Sequence, residues 1–310
     1  MSESNAAQEI GDFVDLQVNG YGGVDFNADG LDPDGFRMAC ERLQKDGVSQ
    51  ILATIITDDL ASMERRLAAI VAACESDPLV RDMIRGVHIE GPFLNETASY
   101  IGAHPVQHAM PADLEAMRRL LNAANGMTRI VTIAPERDEN SRVTRWLADQ
   151  GIVVSAGHCD PSIEQLKSAI DAGLSMFTHL GNGCPLLLHR HDNIIQRALH
   201  LSANLMIGFI ADGVHVPLPA LENYIRCAGV ERSFVVTDAI AAAGQGPGTY
   251  ELAGHTVVVD EHLATWVADR SHLVGSASTM PSLVANLRSI GFSDHELRQL
   301  TSVNPLNVLR

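Results

Sequence analysis

Eight short runs rich in apolar and β-branched residues recur along the chain: 13-FVDLQVN-19, 48-VSQILAT-54, 84-IRGVHIE-90, 129-RIVTIAP-135, 152-IVVSAGH-158, 174-LSMFTHL-180, 205-LMIGFIA-211 and 233-SFVVTDA-239. Their apolar character is nearly continuous, not alternating, as expected of strands covered on both faces in a parallel sheet. Between them the spacing becomes helical. Phe36, Cys40 and Leu43 precede Gly47, and Met63, Leu67, Ile70 and Cys74 follow the second run. Met117, Leu120 and Leu121 predict another helix, as do Val143, Trp146 and Leu147 with Gly151 as a stop. Asp160 is expected to cap a helix with Pro161 in its first position that ends at Gly173. Leu221, Tyr224 and Ile225 repeat the pattern before Gly229.

Strand and helix alternating eight times in 310 residues predict an α/β fold, an eight-stranded β/α barrel of the TIM type. A doubly wound open sheet is the competing arrangement. No linker rich in Pro, Ser or charge divides the chain, so one domain over 1–310 is expected. Residues 1–12 read as an N-terminal tail, and 244-GQGPG-248 as a loop after the eighth strand.

Composition narrows the class of partner. With 46% hydrophobic residues the chain has the material for a large core, and its net charge of -16 excludes nucleic acid and anionic membrane surfaces. An anionic substrate would therefore need local cations. Five cysteines without a CxxC pair give no disulfide framework, no run approaches 18 apolar residues, and the first residues lack a signal-peptide pattern. A cytoplasmic protein is expected.

In a β/α barrel the chemistry gathers at the C-terminal strand ends. There the runs finish in Glu90, His158, His179 and Asp238. Two imidazoles and a carboxylate from different strands suit a divalent ion with a position left for water. A further carboxylate, Asp238, suits the base that takes the water's proton and passes it to a leaving amine. Any one of these residues taken alone reads equally as a structural group; their coincidence on one rim is the signal.

The segments 15-DLQVNGYGGVDFN-27, 86-GVHIEGPFLN-95, 102-GAHP-105, 156-AGHCD-160, 178-THLGNGCP-185, 211-ADGVHV-216, 236-VTDAIAAAG-244 and 275-GSASTM-280 follow one another in the order of a known family. From about residue 14 to 309 the chain resembles the N-acetylglucosamine-6-phosphate deacetylases, amidohydrolases that act on an amino-sugar phosphate. The resemblance implies that Glu90, His158 and His179 bind the catalytic metal and that Asp238 is the acid/base group. It implies that His104 contacts the substrate and polarises the acetyl carbonyl, and that Asn182 and Gly183 hold the sugar. Arg190 and His215 would meet the phosphate, with Gln17 also on the substrate side, and a homodimer is implied. Other amidohydrolases carry a His-x-His pair where this chain has Gln17-Val18-Asn19, so one ion is expected and not a bridged pair. Zinc suits the donor set, with Fe(II), Co(II) or Mn(II) as other occupants.

The family's small accessory β-sandwich is expected to be lacking, the sequence being either a reduced, barrel-only version or a trimmed one. Two departures bear on the substrate: 186-LLLHRHDN-193 and 96-ETASYIGAHP-105 differ from the usual loops. An N-acetylgalactosamine 6-phosphate or another N-acyl sugar therefore stays open as substrate. Rival functions are a cyclic amidase of the dihydroorotase type and a barrel that binds a sugar phosphate without catalysis. His108, His200, His255, His262, His272 and His295 read as surface or packing residues, and Cys159 as a buried thiol.

Overall fold

The computed structural model describes residues 12–309, so the expected tail lies outside the described residues except for Asp12. Eight strands build the core: β1 (Phe13–Val18), β2 (Val48–Ile56), β3 (Ile84–Glu90), β4 (Thr128–Ile133), β5 (Val153–Ala156), β6 (Leu174–Phe177), β7 (Met206–Ile210) and β8 (Ser233–Val236). Each pairs in parallel with the next in chain order. Leu16, Leu52, Ile130, Met176, Ile210 and Phe234 come from six of these strands and form one buried apolar cluster. Only a sheet rolled into a barrel brings them together. Leu306, Val308 and Leu309, near the end of the chain, pack against this cluster.

A polar layer also crosses the barrel. His88 Nε2 meets Thr132 Oγ1 at 2.7 Å, Thr132 meets Thr178 Oγ1 at 2.7 Å, and Thr178 meets Ser155 Oγ at 2.6 Å. Buried hydroxyls that satisfy one another this way fix their strands' relative heights. The seam between β1 and β8 is irregular. The register of β1 on β2 shifts between Asp15 and Val18, and β1 meets the last strand's extension through a single bridge, Val18 with Ala239.

Helices cover the outside: α1 (Pro33–Lys45), α2 (Leu60–Ser76), α3 (Pro78–Met83), α4 (Leu114–Ala123), α5 (Arg142–Asp149), α6 (Ile163–Asp171), α7 (Ile194–His200), α8 (Leu218–Ala228) and α9 (Met280–Ser289). The apolar positions expected to face inward do so; Phe36, Cys40 and Leu43 of α1 are buried, each worth roughly 1.5–3 kcal/mol for a large side chain. One start differs from the sequence expectation. Ser162, not Asp160, caps α6, in a reciprocal capping box with Gln165. Asp160 instead accepts from Arg197 of α7 at 2.8 Å.

A second difference is the region after β8. Residues 244–247 turn as expected, but they lead into an antiparallel sheet of β9 (Gly248–Leu252), β10 (His255–Val259) and β11 (Thr265–Val267). Leu252, Val257 and Val259 of this sheet pack on Ile56, Ile240 and Ala242 at the barrel mouth. Among the described residues, no helix is long and apolar enough to cross a membrane.

Candidate active site

Glu90 is the last residue of β3, whereas His158, His179 and Asp238 each lie two residues beyond the end of β5, β6 and β8. The sequence runs therefore overshoot the ladders. Those three residues have φ of 51°, 32° and 52°. Non-glycine residues rarely adopt this left-handed backbone, and it persists where the surroundings fix it. The turn it produces bends each chain end at the rim of the barrel.

Four side chains meet there. Glu90 Oε1 lies 3.0 Å from His179 Nε2 and 3.3 Å from His158 Nε2, and His158 Nε2 lies 3.3 Å from His104 Nε2. Donor atoms of Glu90, His104 and His158 all fall within 4.8 Å of one another. The hydrogen bonds of the other ring nitrogens assign the protons. His158 Nδ1 faces the Tyr100 carbonyl at 2.8 Å and so carries the hydrogen, which leaves a lone pair on Nε2 toward Glu90. His104 Nδ1 accepts the Thr57 N–H at 3.3 Å, which leaves its hydrogen on Nε2. Burial, and then the neighbouring His158, push His104 down to about 3, so the ring is neutral at physiological pH. The nitrogens of His158 and His179 gathered on one carboxylate, Glu90, make an N/O donor set that fits a divalent metal.

Beside this cluster Asp238 is held by two amides. Gln17 Nε2 donates to Asp238 Oδ1 at 3.0 Å and to Glu90 Oε2 at 3.1 Å, while Asn19 Nδ2 donates to the same Oδ1 at 2.7 Å. Burial, reinforced by the Glu90 charge, pushes Asp238 up to about 6.

A cavity of about 340 Å³ opens over these groups. Its wall includes Asn182, Gly183 and His215, with Leu252 and Trp266 of the second sheet opposite. Gly183 has φ of 58°, and a Cβ there would stand 2.8 Å from His158 Nδ1, so glycine lets this loop close on the histidine. His215 Nδ1 pairs with Asp212 Oδ2 at 2.6 Å. Among the described residues that line the cavity there is no lysine or arginine.

Over 305 residues the chain is 32% identical to N-acetylglucosamine-6-phosphate deacetylase of Bos taurus, covering 96% of this chain and 73% of that one. The chain belongs to the N-acetylglucosamine-6-phosphate deacetylase family. It is also 32% identical over 282 residues to N-acetylgalactosamine-6-phosphate deacetylase of Shewanella sp. (strain ANA-3), covering 87% and 68% of the two chains. N-acetyl-D-glucosamine-6-phosphate deacetylase of Mycobacterium smegmatis, solved as a mutant with N-acetyl-D-glucosamine-6-phosphate, has a TM-score of 0.86 at 28% identity, over 96% of this chain and 77% of that one. No family model matches the chain.

Of the residues that the deacetylase resemblance singled out, Glu90, His104, His158, His179, Asn182, Gly183, His215 and Asp238 share the one cavity. Gln17 is buried behind it, its amide nitrogen occupied by the two carboxylates. Arg190 is exposed, on a loop whose Leu186 and Leu187 are 103% and 94% exposed. His272 is exposed, as its reading as a surface residue expects, and the turn after β11 also brings it to the wall of the cavity. Thr57, Tyr100 and Trp266 were missed. The first two act through backbone groups, and Trp266 depends on a sheet that no periodicity announced.

Proposed function

We propose that the protein is a metal-dependent hydrolase that cleaves the N-acetyl amide of N-acetylglucosamine 6-phosphate, water and amide giving acetate and the amino-sugar phosphate. The observation that carries this reading is the meeting of Glu90, His158 and His179 beside a carboxylate, Asp238, whose Oδ1 is fixed by two amides. Glu90, His158 and His179 would hold one divalent ion, zinc best, with Fe(II), Co(II) or Mn(II) as other occupants. When bound, that ion supplies Lewis acidity toward water and the acetyl carbonyl.

The chain's own residues do the rest. His104, with its hydrogen on Nε2, donates to the carbonyl oxygen and is a poor ligand in that tautomer, which favours His179 as the third donor. Asp238, with Oδ1 engaged, takes the proton of the attacking water on Oδ2 and returns it to the sugar nitrogen as the C–N bond breaks. Asn182 and Gly183 hold the sugar. The phosphate meets His215 and Arg190. Because Arg190 is exposed and its own cavity has no lysine or arginine among the described residues, we place it at the neighbouring site of a homodimer, the adjacent Leu186 and Leu187 covered by the same contact. The five free cysteines accord with a cytoplasmic setting.

A panel of N-acetylglucosamine, N-acetylgalactosamine, their 6-phosphates and dihydroorotate tests the reading. Acetate release is expected from a 6-phosphate, with the two epimers telling apart the functions of the Bos taurus and Shewanella relatives. Hydrolysis of dihydroorotate alone, or binding of the sugar phosphates without acetate release, would refute it.

A further inference from the structure

One buried carboxylate has no part in the chemistry above. Asp15 of β1 is 0% exposed, and among the described residues its hydrogen bonds come from Gln17 and Thr237 alone. A carboxyl group out of water without a cation is costly, and a small apolar residue would fill the seam at less expense. What it offers instead is two acceptor oxygens between two strands that share no regular ladder. The Gln17 N–H donates to Oδ1 at 3.2 Å, where the register of β1 slips, and the Thr237 N–H donates to the same oxygen at 3.2 Å. The Thr237 hydroxyl donates to Oδ2 at 2.5 Å and accepts the Ala239 N–H at 3.1 Å.

These bonds have a common consequence. Thr237 and Ala239 flank Asp238, whose φ of 52° must be imposed from outside, and the hydroxyl that Asp15 orients ties the two flanks together. At the other end, the slip in β1 frees the backbone N–H that Asp15 captures, and such irregularities re-aim side chains beside active sites. The side chain concerned is Gln17, which donates to Asp238 Oδ1. One carboxylate therefore fixes both partners of the Gln17–Asp238 hydrogen bond.

We infer that Asp15 is a positioning residue for the reaction: through the backbone of Gln17 and through Thr237 it sets the aim of the Asp238 carboxylate. The inference rests on the reading of Asp238 as the acid/base group. A misplacement of about 1 Å in a reacting group costs on the order of 100-fold in rate.

The test uses the full-length, metal-loaded protein with N-acetylglucosamine 6-phosphate as substrate. Thr237→Val removes the hydroxyl at constant volume, Thr237→Ser keeps it, and Asp15→Asn replaces one acceptor oxygen by a donor. Thr237→Val and Asp15→Asn are each expected to lower kcat by about 10- to 100-fold with KM within about threefold and metal content unchanged. Thr237→Ser is expected to restore kcat to within about threefold, and the double variant to fall no further than the weaker single one, since both break one clamp. If Asp15→Asn fails to fold, the Val and Ser pair at position 237 still decides. Folded, metal-loaded Thr237→Val with kcat within about threefold of the parent would overturn the inference, as would a fall in melting temperature with no change in kcat. Asp238→Asn in the same series separates the two readings: if it turns over normally, the base assignment falls and the clamp with it. If it is inactive while Thr237→Val is unimpaired, only the clamp falls.

Discussion

The two halves of the cavity are built differently. The half proposed to be catalytic stands on strand ends: Glu90, His158 and His179 are buried, each ring is held by a second partner or by Glu90, and Asp238 is fixed by amides of Gln17 in β1 and Asn19 just beyond it. The other half, proposed to face the sugar and phosphate, comes from loops, the 181–193 segment and the turn after β11; the first of these also carries the exposed Arg190, which does not line this cavity and is proposed to reach the neighbouring site. Bonds within the first of these loops are local, such as the Asp192 N–H to His189 Nδ1 at 2.9 Å and Asn193 Nδ2 to the His189 carbonyl at 2.8 Å. Strands tolerate little change around a reacting centre, whereas loops set specificity without disturbing it. Substitutions in the first half should therefore abolish turnover, and those in the second should shift affinity.

The largest effect is expected on stripping the metal. Prolonged chelation should lower acetate release by about 1,000-fold or more, with recovery on adding back one equivalent of Zn(II). Recovery that needs two equivalents would contradict a single-ion site built around Gln17 and Asn19. His179→Ala follows: metal occupancy by elemental analysis should fall, and activity with it by on the order of 100-fold. Full occupancy would remove His179 from the donor set and turn attention to the cluster of Glu90, His104 and His158.

In the loop half, Arg190→Ala should raise KM for the 6-phosphate about tenfold, or roughly 1.4 kcal/mol, with kcat within about twofold. An equal loss on unphosphorylated N-acetylglucosamine would refute phosphate recognition by Arg190. The last effect is on stability, with turnover at neutral pH little changed, and concerns the joint between the halves. Asp25 accepts the Ala253 N–H at the β9–β10 turn at 2.7 Å and the Asn27 N–H at 2.8 Å. Burial pushes its carboxyl up from 3.8 to about 6. The folded protein then keeps a proton that the unfolded chain has lost, so this contribution is fully present below about pH 4 and lost as pH rises through about 6. Asp25→Asn cannot titrate, and its stability relative to the parent should climb by up to about 3 kcal/mol between pH 4 and pH 7. Urea unfolding at several pH values measures this, and a constant difference would show that Asp25 is ionised at ordinary cost.

The same division decides what could be read from the sequence. Glu90, His158, His179 and Asp238 were legible because each ends or follows an apolar run, and a buried strand announces itself by composition. The overshoot of β5, β6 and β8 was not, since 157-GH-158, 178-TH-179 and 237-TD-238 leave their strands through left-handed backbone that no periodicity records. The second sheet was missed because 248-GTYEL-252 and 255-HTVVV-259 are short and half polar, and their burial depends on Ile240 just before them and on Ile56, far away in the chain. Asp15 was visible only as part of a motif, because what it does depends on where β1 meets β8.

On the proposed reading Asp238 performs the proton transfers while the metal is held by other residues. Turnover and metal content measured on the same preparation of Asp238→Asn decide between this and a ligand role. One equivalent of metal retained, with acetate release from N-acetylglucosamine 6-phosphate lowered by about 1,000-fold or more, is expected. Acetate release within about tenfold of the parent, with the metal still bound, would contradict it.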